Sequence, residues 1–223
     1  MTTQTSQREQ LRQQRQQRER KQRLTFFGII IGIALFFLAI IFLPQLLKDT
    51  KSDETQSGFS LGDPNAPVKV EEFSDFRCSY CKAFSQNTEP DFIKNYIDTG
   101  KVYFTFVNYA FLAEDSVDAA EATYCAADQN AFWQYKETLF SNNTSQDAFT
   151  AENLTKYANQ LNLDVSAFTN CLDNDTHLAD VDNDLAYGKS IGVSATPSFN
   201  VNGTVVLSDT LIQTIEEALT AAN

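Results

Sequence analysis

Two hydrophobic periods divide this chain. Near its start the pattern is unbroken: Phe26 to Leu43, FFGIIIGIALFFLAIIFL, is a run of eighteen uncharged, apolar residues. As a helix it measures about 27 Å, close to the ~30 Å hydrocarbon core of a bilayer, and Pro44 to Leu47 extend it toward the interface. Further along, strand-like runs occur at Val68–Phe73, which alternates apolar and polar positions at its start, and at Val102–Val107, Ser198–Val201 and Thr204–Leu207. Between Ala113 and Lys189 the spacing lengthens to that of helices. Ala119, Ala120, Thr123, Phe132, Tyr135 and Leu139 mark buried stripes there, and Ser116, Thr150 and Asp164 are expected N-caps. Further helices are expected after Cys78 and from Asp209 to Ala222. The pattern is that of an α/β domain with a helical segment set into it.

The flanks of the apolar run decide how it is read. A cleaved signal peptide is the alternative to an anchor, but its apolar region is usually about 7 to 15 residues and ends in small residues. The stretch Leu43-Pro44-Gln45-Leu46-Leu47-Lys48 offers no such site. Residues 25–47 are therefore expected to form one uncleaved transmembrane anchor. Residues 1–24 hold seven Arg and Lys against Glu9 and Glu19, so the positive-inside rule keeps this Gln/Arg-rich tail in the cytoplasm. Residues 48–59 are polar and read as a short tether, followed by one domain over residues 60–223. That arrangement predicts a single-pass protein of the cell membrane with its folded domain extracytoplasmic.

Charge narrows the partners. The chain carries a net charge of −12, and residues 48–223 alone hold 10 basic and 27 acidic residues, which argues against nucleic acid as a partner of the folded domain. The only histidine, His177, lies among Asp173, Asp175, Asp180, Asp182 and Asp184. A solvated helix face is the simpler account of that cluster than a metal site, and no cofactor or metal is expected.

The candidate chemistry lies at Cys78-Ser79-Tyr80-Cys81, directly after the first alternating run. A Cys-x-x-Cys pair at a helix N-terminus puts the first sulfur where unpaired backbone N–H groups and the helix dipole stabilise a thiolate. Zinc sites share the spacing, but the 43 residues to Cys125 and 45 more to Cys171 leave no second short pair of the kind a zinc ribbon uses. Cys125 and Cys171 complete an even count. In an oxidising compartment a structural disulfide between them is the simplest reading, two buried thiols the other. Phe132 and Trp133 read as core.

The segments around Gly62-Asp63-Pro64-Asn65-Ala66-Pro67, Glu72-Phe73-Ser74-Asp75-Phe76 and the two cysteines, together with Gly192-Val193, Thr196-Pro197 and Phe199 to Gly203, resemble the DsbA-like branch of the thioredoxin superfamily. The resemblance spans about residues 60–223. It implies a thioredoxin-like fold with a helical domain inserted at about 113–190, and an extracytoplasmic thiol–disulfide oxidoreductase that introduces disulfides into exported proteins bearing thiols. It casts Cys78 as nucleophile, Cys81 as resolving cysteine, Pro197 as a cis-proline and Thr196 as the residue whose backbone meets a substrate peptide. From the residues alone Pro197 is an ordinary X-Pro bond, trans in about 95% of cases. Glu72 is implied as a proton shuttle to Cys81, against the plain reading of a strand residue facing solvent. A membrane redox partner of the DsbB or vitamin K epoxide reductase type is implied as recycler. Related readings with the same residues are a membrane-tethered reductase or isomerase, and a binding module whose Cys78–Cys81 bond is static. Members that are strong oxidants often carry histidine between the cysteines, whereas this chain has Ser79 and Tyr80.

Overall fold

The computed structural model describes residues 56–222. The expected tail, anchor and most of the tether lie outside those residues. Among the described residues no helix is long and apolar enough to cross a membrane.

A six-stranded sheet forms the frame, with strand order β1-β2-β4-β3-β5-β6. Strands β3 (Val68–Ser74) and β4 (Val102–Asn108) lie parallel, and β5 (Ser198–Val201) runs antiparallel to β3. The hairpin partner of β5 is β6 (Thr204–Leu207). Its turn, Asn202-Gly203, has both residues at positive φ (48° and 95°), the twist that matches a two-residue hairpin. The sheet is extended by β1 (Gln56–Ser57) and β2 (Ser60–Leu61). The polar stretch after Lys48 therefore joins the sheet by Gln56, because the neighbouring Phe59 packs its ring 4.2 Å from that of Phe132.

The β3–β4 crossover is helical. α1 (Ser79–Asn87) passes at Thr88 into α2 (Glu89–Phe92), which continues as one π-helical turn through Ile97. Pro90, lacking an N–H, fits only the opening turn of that second segment. The C-terminal α8 (Leu211–Ala221) packs against β5 through Leu211 and Ile215.

After β4 the chain leaves the sheet for five helices: α3 (Glu114–Ala127), α4 (Phe132–Asn142), α5 (Ala151–Gln160), α6 (Val165–Asp173) and α7 (Leu178–Ser190). Thr150 and Asp164 cap α5 and α6, accepting from Asn153 N and Ala167 N. Ser116 does not cap α3. It lies inside the helix, fully buried, and its hydroxyl donates to the Asp75 carboxylate; Ala113 holds the cap position. The expected stripe of Ala119, Ala120, Thr123, Phe132, Tyr135 and Leu139 is buried, as is Trp133.

The main core lies between the sheet face carrying Val68, Val70, Phe104, Phe106 and Phe199 and the helices α1, α4 and α5. The opposite face carries Phe73 and Val107 under α7. There Gly188 is indispensable: a Cβ on it would sit 2.6 Å from the Tyr109 ring. The close approach lets Tyr109 donate its hydroxyl to Val193 O at 2.8 Å, tying the end of β4 to the loop that enters β5.

Candidate functional site

The sheet topology carries three segments to one edge: the end of β3, the start of α1 and the entry to β5. Cys78 is the N-cap of α1, in extended conformation (φ −72°, ψ 118°), with its sulfur accepting from Cys81 N at 3.4 Å. Opposite it, the Thr196–Pro197 peptide bond is cis, and Thr196 O lies 3.2 Å from the Cys78 sulfur. Both cysteines are free thiols; Cys78 is 7% exposed and Cys81 fully buried.

Their surroundings push the two thiols apart. Cys78 is lowered from 9.0 to about 6, chiefly by a hydrogen bond from the Cys81 thiol, with the Thr196 hydroxyl and the N–H groups of Cys81 and Tyr80 adding and burial opposing. Burial pushes Cys81 strongly up, and the Cys78 and Glu72 side chains add to the rise. At neutral pH the reduced pair is therefore a thiolate beside a thiol. Arg77, although adjacent to Cys78, takes no part in this. Its guanidinium donates to Asp115, Asn143, Ser145 O and Gln146 O and stacks over the Phe149 ring. It clamps the cysteine loop to the insertion.

Beneath the cysteines lies an ionisable group in an apolar layer. Glu72 falls on the same strand face as Val68 and Val70, fully buried, with no hydrogen-bond partner for either carboxylate oxygen. It does not face solvent. Burial, reinforced by Glu89 and opposed by Lys136, raises it from 4.5 to about 8, so it holds a proton at neutral pH. Lys136 on α4 is 1% exposed, donates to both oxygens of Glu89 at the start of α2, and lies over the Phe106, Trp133 and Phe140 rings. The ammonium is bonded to Glu89 alone, and its charge reaches Glu72 only through space. Sequence reasoning passed over Lys136 and Glu89. The signal was present, since Lys136 occupies the i+4 position of the stripe Phe132, Tyr135, Leu139, Phe140, where an apolar residue is the rule.

Far from this centre, Cys125 and Cys171 are joined across the helical insertion, linking α3 to α6. His177 bridges Asp128 and Asp180 and stacks on Tyr124. Those contacts make it a structural bridge rather than a free solvated side chain.

A thiolate-poised cysteine capping a helix, a buried partner one turn on and a cis-proline facing them across a thioredoxin-type sheet define a protein thiol–disulfide oxidoreductase. The sequence profile described as thioredoxin matches residues 54–221. The disulfide bond formation protein D of Bacillus subtilis is 33% identical over 168 residues, covering 71% of this chain and 76% of that protein. The crystal structure of oxidised BdbD from Bacillus subtilis superposes with a TM-score of 0.68 at 31% identity, over 73% of this chain and 93% of that one. Chlamydia trachomatis DsbA shares the fold, with a TM-score of 0.65 at 24% identity over 74% of this chain and 91% of that one. The chain belongs to the thioredoxin family, in its DsbA-like branch.

Proposed function

We propose that this protein donates disulfides to exported proteins through a Cys78–Cys81 bond. The observation that carries the reading is Cys78 at the N-cap of α1, its sulfur accepting from Cys81 N at 3.4 Å and lying 3.2 Å from Thr196 O beside the cis Thr196–Pro197 bond; these surroundings lower Cys78 to about 6 and burial raises Cys81. A substrate thiolate attacks the Cys78 sulfur, the Cys78–Cys81 bond breaks, and the electron pair leaves on Cys81. That sulfur has a high proton affinity, and we assign the supply of its proton to Glu72, a buried carboxyl that is protonated below about 8 and whose charge is felt at Cys81. A second substrate thiolate then attacks the substrate sulfur of the mixed disulfide and releases Cys78 as a stable thiolate. The substrate is oxidised by two electrons and the enzyme is left reduced.

The face presented to substrate combines apolar and backbone groups. Tyr80 between the cysteines is 77% exposed, and Phe111 and Leu112 beside them are 44% and 48% exposed. An unfolded segment with apolar residues around its cysteine fits such a surface, with the backbone at Thr196 available for strand-like pairing. Anchored by residues 25–47 with the domain outside the cytoplasm, the enzyme would be reoxidised by a quinone-linked membrane oxidase of the DsbB or vitamin K epoxide reductase type.

Equilibration of the full-length chain with glutathione tests the direction of exchange. Stabilising the reduced thiolate makes a couple more oxidising, and Cys78 near 6 places the expected potential between thioredoxin's about −270 mV and DsbA's about −120 mV. A value at or below thioredoxin's assigns the protein to reduction instead. A C-terminal reporter active only in the cytoplasm should be silent.

A further inference from the structure

Tyr109 directly follows the last residue of β4, is 3% exposed, and is bonded to both segments that meet at the cysteine site. Its N–H donates to Ser74 O at 2.9 Å, at the end of the strand that leads to Cys78. Its hydroxyl donates to Val193 O at 2.8 Å, at the mouth of the loop that carries Thr196. Cys78 lies four residues beyond Ser74 and Thr196 three beyond Val193, and those two residues then meet, sulfur to carbonyl oxygen, at 3.2 Å. The ring between the two bonds is closely packed. It lies edge-on to Phe73, with centroids 6.2 Å apart, and a Cβ on Gly188 would fall 2.6 Å from it.

We propose that Tyr109 is the positioning residue that spans from β3 to the Thr196 loop and so sets the distance between Thr196 and the Cys78 sulfur. The proposal rests on the reading of Cys78 as the reactive sulfur of a disulfide donor, and adds to it the strut that holds the opposite side of the site. The loop between Val193 and Ser198 is held at both ends. Ser198 pairs with Phe73 as β5 begins. At the other end the Val193 N–H is bonded to Gly188 O of α7 at 2.9 Å, and its carbonyl to the Tyr109 hydroxyl, which joins this end to the sheet. Removing the hydroxyl leaves a buried carbonyl without that donor and the loop without that tie. Thr196 then shifts from Cys78. Because the Thr196 side chain is among the groups that favour the Cys78 thiolate, the shift has a sign, and Cys78 titrates at a higher pH.

In the full-length chain, the pH midpoint of Cys78 alkylation reads the placement of Thr196. Tyr109→Phe, which keeps the ring and removes one hydroxyl, should raise that midpoint by about half a pH unit. Gly188→Ala, whose added carbon displaces the ring, should move it the same way. Val107→Ala lies in the same apolar cluster, loses packing and leaves both Tyr109 bonds in place, so its midpoint should stay within about 0.2 units of wild type. In a Thr196→Val background, which lacks the hydroxyl beside Cys78, Tyr109→Phe should add less than about 0.2 units. An unchanged midpoint in folded Tyr109→Phe, an equal rise in Val107→Ala, or a full further rise in the Thr196→Val background overturns the proposal. If Tyr109→Phe does not fold, Gly188→Ala goes through the same comparisons and decides. Failure of the wild-type chain to oxidise any peptide thiol while it still exchanges with dithiothreitol overturns the donor reading, and leaves the midpoint test of Tyr109 intact.

Discussion

The Cys78 sulfur and the Thr196 carbonyl oxygen lie 3.2 Å apart although 118 residues separate them along the chain. Cys78 is thus held between its own helix and a loop reached only after the whole helical insertion. Exchange chemistry in this protein depends on the fold closing that distance.

Division of labour between the sulfurs is the first consequence. In Cys81→Ser, mixed disulfides with exported proteins should accumulate on Cys78, whereas Cys78→Ser should trap almost none. Single-hit alkylation of the reduced protein should label Cys78 with a midpoint near 6. The sign for stability follows from a folded value below the unfolded ~8.5. The contribution of Cys78 is complete above the unfolded value and is lost as pH falls through about 6. The stability of reduced over oxidised protein should therefore grow with pH between those limits, and a flat difference in urea titrations would count against the assignment.

Glu72 should show the opposite slope. Its carboxyl is raised from 4.5 to about 8, so its contribution is complete below the unfolded value and is lost as pH rises through about 8. Compared in the oxidised state, where the cysteines do not titrate, Glu72→Gln should match wild type near pH 4.5 and become progressively more stable than it toward pH 8.5. The same variant should slow exchange with peptide thiols at least about tenfold, since a positioned acid typically contributes that much or more. Urea titrations at the two pH values and stopped-flow exchange check both halves.

The buried Glu89–Lys136 pair joins α2 of the thioredoxin core to α4 of the insertion. Removing one partner leaves a charge in a dry site, so Lys136→Met is expected to destabilise by about 3–5 kcal/mol. Removing both charges in Glu89→Gln/Lys136→Met should recover most of that loss. A denaturant double-mutant cycle measures the coupling.

The Cys125–Cys171 bond closes a loop with a sequence separation of 46, which in the chain-entropy model corresponds to on the order of 4 kcal/mol. The double Cys125→Ser/Cys171→Ser variant should lose about that much stability to urea and keep its exchange rate with peptide thiols within about twofold. A large fall in rate with little change in stability would instead make the bond part of the chemistry.

The residues with the strongest local signals were the most legible. Periodicity located β3, β4, β5 and β6 to within a residue or two at their ends, and marked the helical stretch between Ala113 and Lys189 with two of three proposed caps, without dividing it into its helices, because each signal is contained in a short window. Ser116 misled for the same reason. A Ser near a helix start is a sound cap candidate, but its hydroxyl was taken by Asp75, a partner 41 residues away. Arg77 shows the same limit: it neighbours Cys78 in sequence, while Asp115 and the Asn143–Gln146 turn draw its guanidinium to the insertion.

By itself, the sequence placed the candidate chemistry at two cysteines one turn apart after a strand, a matter of spacing that is written in the chain. Its resemblance to the DsbA-like branch marked the distant Thr196-Pro197 and Glu72, with the orientation of Glu72 left open. Tertiary structure alone decided the isomer at Thr196–Pro197 and the divergence of two chemically identical thiols. It also paired Lys136 with Glu89 near the buried Glu72, and seated Asp75 where it bonds Arg77, Phe111, Leu112 and Ser116. Proton affinities are set by desolvation and by charges and donors within a few ångströms. Here those groups come from strands, a crossover helix and an insertion that only packing brings together.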